Sequence, residues 1–552
     1  MHQEEFDYVI VGAGSAGCVL ADRLSEDGTR RVLLLEYGGD DSSIYIRMPS
    51  ALSIPMNMPK YNWFYHTEPE PHLNGRRLHT PRGKVLGGSS SINGLVYIRG
   101  NPMDFERWAA EGAAGWSYRD VLPYFKRAER RAEGGDRYRG DRGKLRTRYG
   151  TLANPLHAAW LAAGGQAGYP HTADVNGYQQ EGFGRMDMTV GEGIRCSAAR
   201  AYLKPAMRRS NLKVVTHALA TRVLFEGRRA RGLSYRRGGQ MHSARALREV
   251  ILCAGPINSP QLLKLSGVGP AAELSALGID VVRDLPGVGE NLQDHLEFYF
   301  QVACKEPITL YSSLNWRSRA LIGARWMLRK DGLGATNHFE SCGFIRSRPG
   351  IEYPDIQYHF LPMAVAYDGS TLAKEHGFQA HVGPMRSKSR GWVRLKSTDP
   401  HEAPAIRFNY LSEPDDWIEM RACVRLTREI FAQPAFDRYR GRELQPGDRV
   451  QTDQEIDAFI RDKVESAYHP SCSCKMGAAS DARAVVDPEA RVHGLEGLRV
   501  IDSSIMPSVT TGNLNAPTIM LAEKAADHVL GRHLPPDDAP FYRAPNWQEA
   551  QR

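Results

Sequence analysis

The sequence contains no apolar run of roughly 18 residues or more, so no stretch of it reads as a membrane-spanning helix. Its opening residues, MHQEEFDYVIVGAG, are acidic and run straight into a strand pattern, which is not the basic-then-apolar layout of a secretory leader. Cysteine is sparse, with eight residues in 552: Cys18, Cys196, Cys253, Cys304, Cys342, Cys423, Cys472 and Cys474. Only the last two are neighbours, and Cys-x-Cys fits neither a zinc knuckle nor a thioredoxin-type pair. That usage excludes a disulfide scaffold, predicts no metal site, and points to a reduced, cytoplasm-facing protein. No internal repeat occurs. The formal charge of +8 is not concentrated on a basic helix or accompanied by base-stacking motifs, which argues against nucleic acid as a partner. The densest basic stretch, residues 126–150, mixes Arg with Glu and Asp. It reads as a solvated, Gly-rich surface segment, with docking to an anionic leaflet as the alternative.

Ordinary globular material is abundant: 42% hydrophobic and 24% charged residues over a length that suits two intimately built domains. The first forty residues read as strand (Phe6 to Val11), glycine turn, helix (Ser15 to Leu24) and buried strand (Val32 to Leu35). The turn is Gly12-Ala-Gly14-Ser-Ala-Gly17. Gly12 permits a tight turn, Gly14 lets backbone approach a pyrophosphate, and Gly17 lets helix pack on strand. The helix start at Ser15 and Ala16 then offers free N–H groups to phosphate. Glu36 closes the second strand, where a carboxylate suits ribose hydroxyls and repels a 2′-phosphate. The pattern predicts a dinucleotide but does not separate FAD from NAD.

Two longer motifs narrow the choice. Gly83-Lys-Val-Leu-Gly-Gly-Ser-Ser-Ser-Ile-Asn93-Gly94 and Gly255-Pro-Ile-Asn-Ser-Pro-Gln-Leu-Leu-Lys-Leu-Ser-Gly-Val-Gly269 resemble the two signatures of the glucose-methanol-choline (GMC) oxidoreductases. Tyr468-His469-Pro470 and Gly512-Asn513-Leu514-Asn515 follow in the matching order. The resemblance covers the chain except its Pro-rich end and implies FAD bound by a split domain. Gly87, Gly88 and Gly94 then bring backbone to the flavin, and polar groups from Ser89 through Ser91 to Asn93 meet its edge. The resemblance extends the cofactor contacts to Leu95, Val96, Val223, Ala254 and Asp502. A helix starting near Asn515 would turn its positive end to the flavin where charge grows on reduction. Some family members hold FAD through a His just before the Asn of the first signature. Ile92 stands there, so non-covalent FAD is expected.

Alcohol oxidation takes a proton from oxygen and a hydride from carbon. By resemblance His469 is the catalytic histidine, either as proton acceptor or as stabiliser of the alkoxide, and Asn513 is its partner on the substrate oxygen. Asn515, two residues on, falls to the flavin. Within the family the resemblance is to bacterial choline dehydrogenases, carried by His469-Pro-Ser-Cys-Ser-Cys-Lys-Met-Gly477, Tyr358-His-Phe-Leu-Pro362 and Glu375-His-Gly-Phe-Gln-Ala-His-Val-Gly383. It implies oxidation of choline to betaine aldehyde, towards glycine betaine. It also implies a membrane electron acceptor (a quinone or the respiratory chain) and peripheral attachment to the inner face of the inner membrane. A trimethylammonium group calls for aromatic faces and a carboxylate. Glu340, Tyr468, Trp63 and Phe360 are the candidates. The competing activities are oxidation of aliphatic or aromatic primary alcohols or polyethers and, in another class, a photodecarboxylase-like lyase.

The expected fold is α+β. A Rossmann-like FAD domain comes from residues 1–155, 195–300 and 466–532. An antiparallel-sheet substrate domain comes from 301–465 with a contribution from 156–194, and 533–552 form a tail. The sequence carries no signal for oligomeric state.

Overall fold

The computed structural model describes residues 4–366 and 375–552; residues 1–3 and 367–374, which fall in the expected domains, lie outside the described residues. Two seven-stranded sheets organise the chain. The first begins with Glu4–Val11, whose neighbours on either side are Val32–Leu35 and residues 244–252 of Gln240–Leu252, both parallel to it. Leu212–Val215 and Leu498–Val500 extend the parallel part outward. Val9, Ile10 and Val32 to Leu35 are at most 1% exposed, as strands covered on both faces must be. The long Gln240–Leu252 strand has a second use: residues 240–245 pair antiparallel with Arg229–Arg237, which pairs in turn with Ala218–Glu226. The helices Ser15–Leu24 and Asn515–Leu530 pack on each other at this sheet.

The second sheet is antiparallel. Its order is Arg440–Gln445, Leu296–Cys304, Gly377–Pro384, Ile356–Leu361, Ser341–Ile345, Gly182–Arg185, with Glu465–Ser466 paired to the start of Leu296–Cys304. Gly182–Arg185 comes from the 156–194 segment. The strand Leu296–Cys304 straddles the expected limit at residue 300 and belongs wholly to this sheet.

Side chains alternate between the faces of a strand. One face carries Phe298, Phe300, Val302, Tyr358, Phe360, Phe378, Ala380 and Val382, which fill a core behind the sheet with the helices Pro155–Gln166 and Pro414–Phe431. The other face carries Glu297, Tyr299 and Gln301, then Gln357 and His359, then Gln379 and His381. Register places Tyr299, His381 and His359 side by side across three strands. This polar face is a roof over the glycine-rich turns of the first sheet.

Two segments read as surface are anchored to the fold. The 126–150 stretch is stitched into the protein: Arg139 is 1% exposed and its guanidinium meets Glu129 (2.5 Å), Asp174 (2.7 Å) and Asp187 (3.0 Å), while Arg99 takes the other Glu129 oxygen at 2.6 Å. Burial alone would raise the Glu129 carboxyl, but the two guanidiniums outweigh it and bring it down to about 2. The polar C-terminal tail is also bound. Tyr542 N–H donates to the Tyr178 carbonyl (2.9 Å), Gly350 N–H to Trp547 (2.8 Å) and the Arg346 guanidinium to Ala550 (2.8 Å).

Candidate active site

One continuous cavity is lined by residues of both sheets and holds Glu36 and His469 in different parts of its wall. Its cofactor end follows from local sequence. Gly12 sits at φ +96°, and a Cβ on Gly17 would stand 1.9 Å from the Gly12 carbonyl oxygen, so the helix meets the turn only as glycine. A Cβ on Gly88 would come within 2.7 Å of the Gly14 Cα, which makes the first signature and the fingerprint one surface. Glu36 lines the cavity and accepts N–H bonds from Ala13 (2.9 Å) and Gly38 (2.7 Å). Burial pushes its carboxyl up to about 7 against those bonds. Two helix starts converge at the middle. Ser15 Oγ donates to Asn515 Oδ1 at 2.9 Å, and Ser15, Ala16 and Asn515 all line the cavity. Asp502 ties a third helix start: it accepts from Gly255 N–H (2.9 Å) and Ser259 Oγ (2.6 Å).

Of the expected cofactor residues, Gly12, Gly14, Ser15, Ala16, Glu36, Gly88, Asn93, Gly94, Leu95, Val96, Ala254, Asp502 and Asn515 line the cavity. Gly17, Gly87 and Ser91 lie beneath it. Gly87 N–H donates to Ala13, and Ser91 spends its hydroxyl on the Leu86 carbonyl. Val223 is also set apart: its N–H donates to Ser266 Oγ, and Ala218, Leu219 and Ala220, at the start of the same strand, take the place expected for it. Ile92 lines the cavity, with no nucleophile at that position. A residue without a motif holds the loop: Arg195, 2% exposed, donates to the carbonyls of Ile46 (2.8 Å), Asn93 (2.8 Å) and Ser90 (3.3 Å) and to Asn93 Oδ1 (2.7 Å). Burial drops its pKa to about 9.

The catalytic end is assembled from distant segments. Tyr468 takes a left-handed backbone (φ 65°), held by the Arg82 guanidinium on its carbonyl (2.6 Å) and by Ser466 Oγ on its N–H (2.9 Å). This turns His469 towards the cavity, with its own N–H on Asp294 at 2.7 Å. The hydrogen bonds then fix the ring. His295 Nε2 lies 3.0 Å from the Met385 carbonyl, an acceptor only, so that nitrogen carries the proton. Burial holds His295 neutral, down at about 4, so its Nδ1 is a lone pair. His469 Nδ1, 3.0 Å away, must therefore be the donor, and His469 Nε2 is left as a lone pair. Asn513 Nδ2 meets that lone pair at 3.0 Å, while Asn513 Oδ1 accepts from His359 (3.1 Å) and Gln357 (3.2 Å). Burial first, then His295, His359 and Arg82, push the His469 pKa well below its ordinary value. The ring is an uncharged base facing the cavity.

The expected ammonium contacts need correction. Glu340 does not line the cavity. Its carboxylate accepts from Leu152 N–H (2.6 Å) and Thr336 Oγ1 (2.7 Å), and its stem packs on Gly150. The carboxylate that shares the cavity with His469 on the roof side is Glu297, on the polar face of that sheet, with His381 Nδ1 at 3.1 Å. Phe360 is fully buried and stacked on Trp160 at 5.1 Å, because it neighbours His359 and so points to the other side of the strand. Tyr468 lines the cavity, joined by Phe339, which no motif had marked. Trp63 also lines it, but in a stack with Tyr37 (5.0 Å), the residue after Glu36, and Tyr65 (5.7 Å). One signal was available for Glu297: in HLEFYFQ and IQYHFL polar residues alternate with apolar ones in strands that are otherwise buried. No group of three or more metal-ligating side chains occurs among the described residues.

Known proteins carry the same features. Family models described as GMC oxidoreductase match residues 6–297 and 387–522. A Brucella ovis protein named oxygen-dependent choline dehydrogenase is 59% identical over 549 residues, covering 99% of this chain and all of that protein. A Photobacterium profundum protein of the same name is 57% identical over 550 residues, covering 99% and 97%. Among solved structures, pyridoxine 4-oxidase from Mesorbium loti superposes with a TM-score of 0.86 at 31% identity, covering 96% of this chain and all of the other. A variant of Aspergillus oryzae formate oxidase, solved for the effect of a mutation on FAD modification, gives 0.89 at 26% identity, covering 96% and 98%.

Proposed function

The chain belongs to the GMC oxidoreductase family and is an FAD-dependent alcohol dehydrogenase, and from that premise we propose that its substrate is choline, oxidised to betaine aldehyde. The observation that carries this reading is the Glu297 carboxylate in one cavity with His469, Asn513, Tyr468 and Phe339. Glu297, bonded to His381, gives this part of the cavity a negative potential, which attracts a cationic alcohol and does nothing for an uncharged one. Choline offers a fixed positive charge two carbons from its hydroxyl, and aromatic faces add cation–π attraction.

FAD, once bound, supplies the hydride acceptor. The protein supplies the rest. His469 Nε2 takes the hydroxyl proton, and its Nδ1–H bond to His295 stabilises the imidazolium that results. Asn513 Nδ2–H turns to the alkoxide oxygen. Glu297 anchors the ammonium and so fixes which end of the molecule reaches His469. FAD is held without a covalent bond, as Ile92 implies, and acid precipitation of the holoenzyme should release it all into the supernatant. The test of the substrate is anaerobic bleaching of the flavin by choline against 3,3-dimethylbutanol, its uncharged isostere. Fast bleaching by choline alone supports the reading; bleaching by the neutral alcohol alone keeps the enzyme class and removes choline.

The relatives' names bring dioxygen to the fore as electron acceptor. A membrane quinone is the second reading, favoured by the exposed Ile54, two residues from the cavity-lining Met56. Among the described residues no helix is long and apolar enough to cross a membrane.

A further inference from the structure

Residues 375–383 supply one of the motifs that resemble choline dehydrogenases, yet none of them lines the cavity. Two of their side chains, Gln379 and His381, lie on the polar face of the roof sheet and are buried, at 0% and 3% exposed. Register sets His381 beside Tyr299 on one neighbouring strand and His359 on the other. Its ring packs against Tyr299, with centroids 4.5 Å apart, and against the edge of Phe339 at 5.3 Å. Its Nδ1 lies 3.1 Å from Glu297 Oε1, so it touches the carboxylate that lines the cavity without lining the cavity itself.

A chain of hydrogen bonds decides which ring nitrogen carries the proton. It starts at Val365, whose backbone N–H can only donate and whose carbonyl can only accept. Val365 N–H donates to Gln379 Oε1 (2.8 Å), and Gln379 Nε2 donates to the Val365 carbonyl (3.0 Å). These two bonds fix which end of the Gln379 amide is oxygen and which is nitrogen. Gln301 Nε2 adds a third, to Gln379 Oε1 at 2.7 Å. Gln379 Nε2 then meets His381 Nε2 at 2.6 Å as a donor, which makes that ring nitrogen the acceptor. The ring proton therefore sits on Nδ1 and is donated to Glu297.

We infer that His381 is a specificity-determining positioning residue: through its Nδ1–H it orients the Glu297 carboxylate and leaves the negative charge to the substrate's ammonium group. Gln379 fixes the tautomer on which this depends. The inference rests on the choline reading and extends it to two residues outside the cavity wall. In the other tautomer a lone pair would face the carboxylate, and a doubly protonated ring would cancel its charge. Either change weakens the hold on a cation and leaves a neutral alcohol unaffected.

The experiment reads, from anaerobic reduction of the bound flavin, the half-saturating concentrations of choline and of 3,3-dimethylbutanol. His381→Leu should raise that of choline about tenfold, the worth of a hydrogen bond to a charged group, and change that of the isostere less than about twofold. His381→Asn, whose Nδ2–H stands where Nδ1–H stood, should bring choline back to within about threefold of the parent enzyme. Gln379→Met keeps the ring but removes the N–H that fixes its tautomer. It should shift choline alone, in the same direction, and it carries the test where leucine at 381 is not tolerated. In a Glu297→Gln background His381→Leu should add nothing for choline. Equal weakening of both alcohols would make His381 a packing element and overturn the inference, as would failure of asparagine to restore choline. If Glu297→Gln leaves choline unaffected, the carboxylate reading falls and takes this one with it. If Glu297→Gln weakens choline while His381→Leu and Gln379→Met do not, this inference alone falls.

Discussion

The two ends of the cavity are built differently. At the Glu36 end, the turn, the helix start and the acidic residue come from one stretch of 25 residues, positions 12–36. At the His469 end, Arg82, His295, Glu297, His359, Asn513 and His469 come from across the chain. The first end is specified by backbone, since glycine spacing dictates where a pyrophosphate can approach. The second is specified by the pairing of strands far apart in sequence. It is also where the proposed choline contacts lie.

The largest expected effect falls at the distributed end. His469→Gln should keep FAD but slow flavin reduction by choline roughly a thousandfold, the range of a lost general base. Undiminished reduction would move the base elsewhere. Glu297→Gln should raise the KM for choline on the order of a hundredfold and leave oxidation of 3,3-dimethylbutanol unchanged. Glu340→Gln should alter the KM for choline less than about twofold and appear instead as a lower Tm, because it loosens the Leu152 and Thr336 bonds. The reverse pattern would restore the carboxylate that the motifs suggest. At the compact end, Gly17→Ala should lower FAD occupancy and cost about 1–3 kcal/mol of stability, since its methyl group meets the Gly12 carbonyl. Retained FAD and an unchanged Tm would mean that the turn yields.

The smallest effect separates the ends by sign. Burial raises Glu36 from 4.5 to about 7, so its contribution to apoprotein stability is full below pH 4.5 and is lost as pH rises through 7. Burial lowers His295 from 6.5 to about 4, so its contribution is full above pH 6.5 and is lost as pH falls towards 4. Glu36→Gln should flatten the alkaline side of a Tm-against-pH curve, and His295→Asn the acid side. Both variants moving the same side would refute the assignment.

Legibility followed the same division. The strand Val32–Leu35 and helix Ser15–Leu24 fall where periodicity puts them, and the parallel sheet follows from the fingerprint. His469 and Asn513 were found through motif resemblance, and the structure brings them to 3.0 Å. Glu297 was missed because it lies outside both signatures, in a strand whose purpose appears only once Gly377–Pro384 and Ile356–Leu361 lie beside it. Phe360 was misread for the complementary reason, since a one-residue step along a strand reverses its side. Val223 and Ser91 are in the right elements but point away from the cavity.

The roof sheet's alternation has a consequence for how such an enzyme can change over generations. Its odd-numbered positions, 297, 299, 357, 359, 379 and 381, lie on the polar side, where Glu297 and His359 reach the cavity, while the even-numbered ones between them, 298, 300, 358, 378, 380 and 382, hold the domain together. Specificity and foldability are therefore inherited on interleaved letters of the same words. A lineage can rewrite one set while the other is conserved, trying new alcohols without relearning how to fold.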